Sequence, residues 1–110
     1  MDMVMVKRFE VWLVELNPTV GSEISKYRPC IVVSPDEANK YLRTVIIIPL
    51  TSTNRNYPTR VNCIFDGKQG QLAVDQIRRI DKIRLVKKLG TMDEKTCIAL
   101  CSVIVETFKY

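Results

Sequence analysis

Apolar residues come along this chain in short bursts separated by polar stretches marked with Pro or Gly, and only the C-terminal segment breaks that rhythm. The first burst, EVWLVEL (10–16), is aromatic and β-branched and predicts a strand. NPTVGSEISKY (17–27) carries Pro18 and Gly21 and predicts a long loop. RPCIVVS (28–34) predicts a strand with Pro29 at its entrance, where a missing N–H is tolerated. SPDEANKYL (34–42) runs Ser, Pro, then acids, the order of a short helix capped by Ser34.

TVIIIPL (44–50) is the most apolar strand, and TSTNRNYP (51–58) is a polar loop. TRVNCIF (59–65) alternates in part and predicts a strand, with DGKQG (66–70) as its hairpin turn. QLAVDQIRRI (71–80) begins as a strand and loses its alternation, and KIRLVKKLG (82–90) is a further strand, basic at 82, 84, 87 and 88. The period then changes. TMDEKTCIALCSVIVETFKY (91–110) predicts a long helix, with Thr91 and Glu94 as a capping box. Cys97, Cys101, Ile104, Val105 and Phe108 recur at helical spacing as its expected buried face.

Many short strands and one long terminal helix predict a mainly β protein: a small, strongly bent antiparallel sheet, best matched by an SH3-like barrel with a C-terminal helix. The 110 residues suit one domain, taken as 1–110, since no repeat or linker interrupts them. Hydrophobic residues at 46% beside charged residues at 26% exclude a disordered chain. No apolar run approaches the ~20 residues of a membrane span. The N-terminus lacks the order of a signal peptide, so the expected location is the cytoplasm and no membrane is expected as a partner.

Cys30, Cys63, Cys97 and Cys101 form no C-x-x-C pair, and the chain has no histidine. Small core hydrophobes in a reducing compartment are the expected reading; no metal and no cofactor are expected. The formal charge of +5 suits a polyanionic partner such as nucleic acid, or an acidic protein that neutralises the same surface.

Without histidine there is no Ser-His-Asp triad, and the glycines lack the GK[ST] ending of a phosphate-cradling loop. What remains is a polar set in loops beside apolar strands: Glu23, Lys26, Arg28, Thr51, Ser52, Asn54, Arg55, Asp75, Gln76 and Arg78. An arginine offers a planar fork of donors to a phosphate, and hydroxyls add neutral donors. Such a group can stabilise charge building on a scissile phosphate, and RNA brings its own nucleophile in the ribose 2′-hydroxyl. Each residue also has a plainer role. An arginine at a strand entrance is ordinarily solvated, Thr51–Ser52 suits a strand-ending turn, and DQIRRIDKIR suits an exposed segment of mixed charge. Composition and spacing alone reach a basic β domain with a phosphate-binding cleft.

Four stretches taken in order add to this: VWLVELNPTVGSE (11–23), RPCIVVS (28–34), IPLTS (48–52) and DQIRRIDKIRL (75–85). Together they resemble the MazF/PemK (Kid) toxins of bacterial toxin–antitoxin pairs, over roughly residues 7–108. The resemblance implies the CcdB/Kid/MazF-like toxin fold and a homodimer. It implies a sequence-specific, metal-independent endoribonuclease that cuts single-stranded RNA to a 2′,3′-cyclic phosphate and a 5′-hydroxyl. The neutralising partner it implies is an antitoxin whose acidic, disordered tail folds into the basic groove. Arg28 sits at the family's catalytic arginine in R-P, and Thr51 at its catalytic threonine in P-L-T. Glu23 matches the acid of G-S-E and is a general-base candidate by charge. Gln76 and Arg78 match the D-Q-I-R segment that borders the RNA groove. Ser52, Asn54 and Lys26 are expected to contact RNA, and Tyr27 to stack on a base. The alternative is a CcdB-like non-enzymatic toxin that inhibits DNA gyrase by protein binding; the joint presence of R-P and P-L-T and the absence of a C-terminal tryptophan favour the enzyme.

Overall fold

The computed structural model describes residues 5–17 and 26–110. Seven strands form in chain order: β1 (Glu10–Asn17), β2 (Lys26–Val32), β3 (Thr44–Thr51), β4 (Arg60–Phe65), β5 (Lys68–Ala73), β6 (Arg78–Asp81) and β7 (Leu85–Thr91). Helix α1 (Asp36–Tyr41) joins β2 to β3, and α2 (Glu94–Phe108) follows β7. All strand pairs are antiparallel, in the order β4-β5-β3-β2-β1-β7, with β6 added to β3.

The central strands are apolar on both faces because the sheet curls into a half-barrel with a core on each side. Alternate residues go to opposite cores. Ile31 and Ile48 join Val11, Leu72 and Leu100 beneath α2. Cys30, Val32 and Ile47 join Trp12, Val14 and Ile80 inside the curl. The unbroken apolar runs of β2 and β3 therefore record two half-cores.

The stretch 71–80 loses its alternation because it is two strands joined at a corner. β5 ends at Ala73, a 3₁₀ turn covers Val74–Gln76, and β6 restarts on the other part of β3. A second 3₁₀ turn, Lys82–Arg84, takes the place of the first residues of the strand expected at 82–90. Between β4 and β5 a hairpin forms as expected, but the turn read over 66–70 is only Asp66–Gly67, whose φ values of 52° and 75° are the left-handed pair that a two-residue turn needs, and Lys68–Gly70 already pair in β5.

Both helix starts differ from the sequence reading. Pro35 occupies the N-cap of α1, so Ser34 lies one residue too early to cap it. The Ser34 hydroxyl instead donates to Asn39 Oδ1 and accepts from the Ile46 N–H at 3.0 Å, and the Lys82 ammonium donates to the Asn39 carbonyl. Buried Asn39 thus ties α1 to β3 and to the turn before β7. In α2 the cap is Asp93, whose carboxylate accepts from the Thr96 N–H at 3.0 Å, while Thr91 ends β7. The capping box expected at Thr91 and Glu94 does not form, because the strand holds Thr91. Asp93→Ala is expected to cost about 1 kcal/mol and Thr91→Ala well under that, read as the shift in urea midpoint at constant slope.

The buried face of α2 is also rotated from the expected one. Cys97 and Leu100 are buried and Val103 and Ile104 pack behind them, whereas Cys101 is half-buried and Val105 and Phe108 are 66% and 64% exposed. Two apolar stripes run along this helix, and the curled sheet covers only one.

Candidate active site

The site is placed by strand register. β2 and β3 pair Cys30 with Pro49, Ile31 with Ile48 and Val32 with Ile47. Carried on to the end of β3, that register sets Arg28 opposite Thr51. Directly opposed residues share a face, with Cβ atoms about 5 Å apart. Arg78 pairs with Ile47 and lies on the same face, further along β3. Between the two arginines sits the buried Cys30 thiol. Burial pushes it up to about 12, against the opposing pull of the Arg28 and Arg78 charges. Cys63 and Cys97 are pushed up to about 11, by burial first, so these thiols stay protonated.

Thr51 is 8% exposed, and its Oγ1 accepts from the Thr53 N–H at 3.1 Å. One lone pair is thereby used and the hydroxyl hydrogen is left to donate. Arg28 is half-buried, and among the described residues its guanidinium makes no hydrogen bond or ion pair. A guanidinium keeps its charge at neutral pH, so this one is a fixed fork of donors beside a hydroxyl donor. The two residues border a cleft of about 290 Å³ shared with Tyr27, Ser52, Lys68 and Gln69.

The other expected residues lie around this pair. Lys26 is exposed at the entrance of β2. The Tyr27 hydroxyl donates to Glu15 at 3.0 Å, and that bond holds the phenol above its ordinary value while the ring stays about half exposed. Asn54 lines a second cleft of about 720 Å³ that also includes Ser52. Gln76 is exposed at the end of the Val74–Gln76 turn and does not line the smaller cleft, nor does Arg78. Glu23 lies outside the described residues.

Three residues at the site were not legible from spacing. Lys68 lies within DGKQG, a turn pattern, yet begins β5 and lines the cleft. Gln71, 7% exposed, accepts from the Arg55 N–H at 3.0 Å and donates back to the Arg55 carbonyl at 3.2 Å, clamping the loop between β3 and β4. Arg60 fixes the other end of that loop: it donates to Asp75 at 2.9 Å and to the Thr53 carbonyl at 3.4 Å. No local sequence pattern signals a side chain that binds a backbone 16 residues away.

Asp75 is therefore a structural partner of Arg60 rather than a free acid. The Arg60 hydrogen bond, with help from Thr59, holds its carboxyl below the ordinary 3.8. A depressed carboxyl binds fewer protons folded than unfolded, so its stabilisation is complete above that value and is lost as pH falls through the folded one. Urea midpoints measured between about pH 3 and pH 6 are expected to fall with acid, and Asp75→Asn to flatten that fall. An equally steep acid limb in the variant would remove Asp75 as its source.

The model of the PemK-like, MazF-like toxins of type II toxin–antitoxin systems matches residues 7–108. The endoribonuclease MazF of Staphylococcus epidermidis is 34% identical over 100 residues, covering 86% of this chain and 83% of that protein. Among solved structures, the MazE–MazF complex of Deinococcus radiodurans superposes with a TM-score of 0.83 at 20% identity, covering 96% of each chain. A mycobacterial endoribonuclease in complex with its cognate antitoxin superposes at 0.80 and 22% identity, covering 96% of this chain and 98% of that one. The two structural likenesses fix the fold.

Proposed function

This chain belongs to the PemK-like, MazF-like toxins of type II toxin–antitoxin systems, and we propose that it is an endoribonuclease cutting single-stranded RNA at the Arg28–Thr51 pair. The observation that supports this reading is that Arg28 and Thr51 line one cleft, just beyond the last β2–β3 pair, Cys30 with Pro49. The curated relative at 34% identity is named an endoribonuclease, which favours this reading over gyrase inhibition by protein binding.

In this scheme the substrate's 2′-oxygen attacks the adjacent phosphorus. A 2′-O–P bond forms, the P–O5′ bond breaks, and the products are a 2′,3′-cyclic phosphate and a 5′-hydroxyl. Arg28 binds the phosphate and stabilises the charge that builds on its oxygens; Thr51 donates to a non-bridging oxygen. As a second role Arg28 protonates the leaving 5′-oxygen, an alkoxide basic enough to take a proton that a guanidinium does not release to water at neutral pH. Because a guanidinium holds its proton, the group that takes the 2′-proton is another, and Glu23 is assigned by its charge. Lys26, Ser52, Asn54, Gln76 and Arg78 contact RNA around the pair. The reaction uses these side chains and the substrate's own hydroxyl.

The protein works as one domain over 1–110, as a cytoplasmic homodimer, and is neutralised by an antitoxin with an acidic tail that competes for the same basic surface. Two structural relatives are complexes with an antitoxin, which supports that partner. Among the described residues no helix is long and apolar enough to cross a membrane.

The test is incubation of the purified protein with mixed-sequence single-stranded RNA in EDTA, followed by mapping of the ends. Cyclic phosphate ends at a preferred sequence support the assignment. Intact RNA together with gyrase-dependent DNA breaks would sink it.

A further inference from the structure

Thr51 is one end of a row that continues across the sheet. It pairs with Gln71 on β5, and Gln71 pairs with Asn62 on β4. All three share a face, since the next row, Leu50–Leu72–Val61, turns to the core beneath α2. Adjacent strands lie about 4.8 Å apart, so exposed Asn62 stands ~10 Å from Thr51. Between them, over Gln71, lies the Arg55 backbone.

The polarity of this row is fixed from one end. The atom of Gln71 that meets the Arg55 N–H accepts, so it is the amide oxygen. The other terminal atom is then the nitrogen, and it donates to the Arg55 carbonyl and, at 3.0 Å, to Asn62. The Asn62 atom facing Gln71 must be its oxygen, which leaves the Asn62 NH₂ turned away from Gln71. Among the described residues that NH₂ has no partner. A single backbone N–H therefore orients two side-chain amides and presents one donor on the face that carries Arg28 and Thr51.

We propose that Asn62 is a specificity-determining residue, donating from its NH₂ to an acceptor on a base flanking the cut phosphate, and that Gln71 is the positioning residue that holds it in that orientation. This rests on the ribonuclease reading above. An RNA strand crossing the Arg55 loop meets Thr51 first and Asn62 ~10 Å on. An oriented amide donor discriminates bases by hydrogen bonding to an edge atom, and an unpaired donor penalises the wrong base.

The experiment is cleavage of an RNA pool randomised around the cut, with the ends sequenced, by wild type, Asn62→Asp and Gln71→Glu. Asn62→Asp keeps the bond from Gln71 and converts the outward donor to an acceptor. Gln71→Glu still accepts from the Arg55 N–H but takes a donor from Asn62, so Asn62 must turn its oxygen outward. Both variants are expected to shift the preference at one and the same flanking position, away from bases presenting an acceptor, by about fivefold. Identical profiles in all three proteins, or a Gln71→Glu that slows every sequence alike, would overturn the assignment. Should Gln71→Glu not fold, Asn62→Asp alone decides, and an unchanged profile overturns it. RNA left intact by the wild type would instead remove the ribonuclease reading, and this one with it.

Discussion

Arg28→Ala is expected to lower the single-turnover cleavage rate by about 10²–10³-fold while leaving the melting temperature close to that of the wild type. The rate loss follows from geometry. Arg28 and Thr51 line one cleft, and among the described residues no hydrogen bond or ion pair engages the guanidinium, so it is placed to bind a phosphate. The small stability change follows from position: Arg28 is half-buried at the rim of a cleft, and among the described residues no ion pair holds it. Arg28→Lys keeps the charge and loses the fork, and should fall between wild type and alanine. Thr51→Val keeps the shape and removes the donor, and is expected to lose roughly 10²-fold. Unchanged cleavage by a folded Arg28→Ala protein would rule out this pair as the reacting centre.

The largest expected effect on stability is Leu100→Ala, at about 2–5 kcal/mol. Leu100 is fully buried where α2 meets Val11, Ile31, Ile48 and Leu72. Its truncation leaves a cavity between a helix and a curled sheet, two surfaces that cannot easily close together. Against the 5–15 kcal/mol that usually holds a domain folded, this is a large fraction. Phe108→Ala removes a bigger side chain and is expected to change monomer stability by about 0.5 kcal/mol or less, because that side chain is 64% exposed. The two urea midpoints decide between the helix faces. A cost for Phe108 equal to that for Leu100 would put the buried stripe where the apolar spacing alone had it.

That comparison marks how far local pattern reads this chain. EVWLVEL and TVIIIPL match their strands within a residue, because each is decided by near neighbours, whereas the turn read over 66–70 shrinks to Asp66–Gly67 because Lys68–Gly70 pair with β4. Arg28 and Thr51 were singled out through the order of family motifs, and although 23 positions separate them in the chain they line one cleft. The cap expected at Thr91 fails for a distant cause: Thr91 has the chemistry of a cap, but pairing with Glu10 keeps it in β7. The break at 74–76 was visible as lost alternation, yet nothing nearby said that the chain would turn and rejoin β3.

By itself the sequence determined the strand-rich class with its terminal helix, the basic charge and the lack of histidine. These depend on residue type and short-range periodicity. Tertiary structure alone decided which stripe of α2 is buried, that Asp75 serves Arg60, and that Gln71 orients both Arg55 and Asn62. Each of these depends on contact between elements distant in sequence, and within the sheet a register shift of one residue would send every side chain to the opposite face.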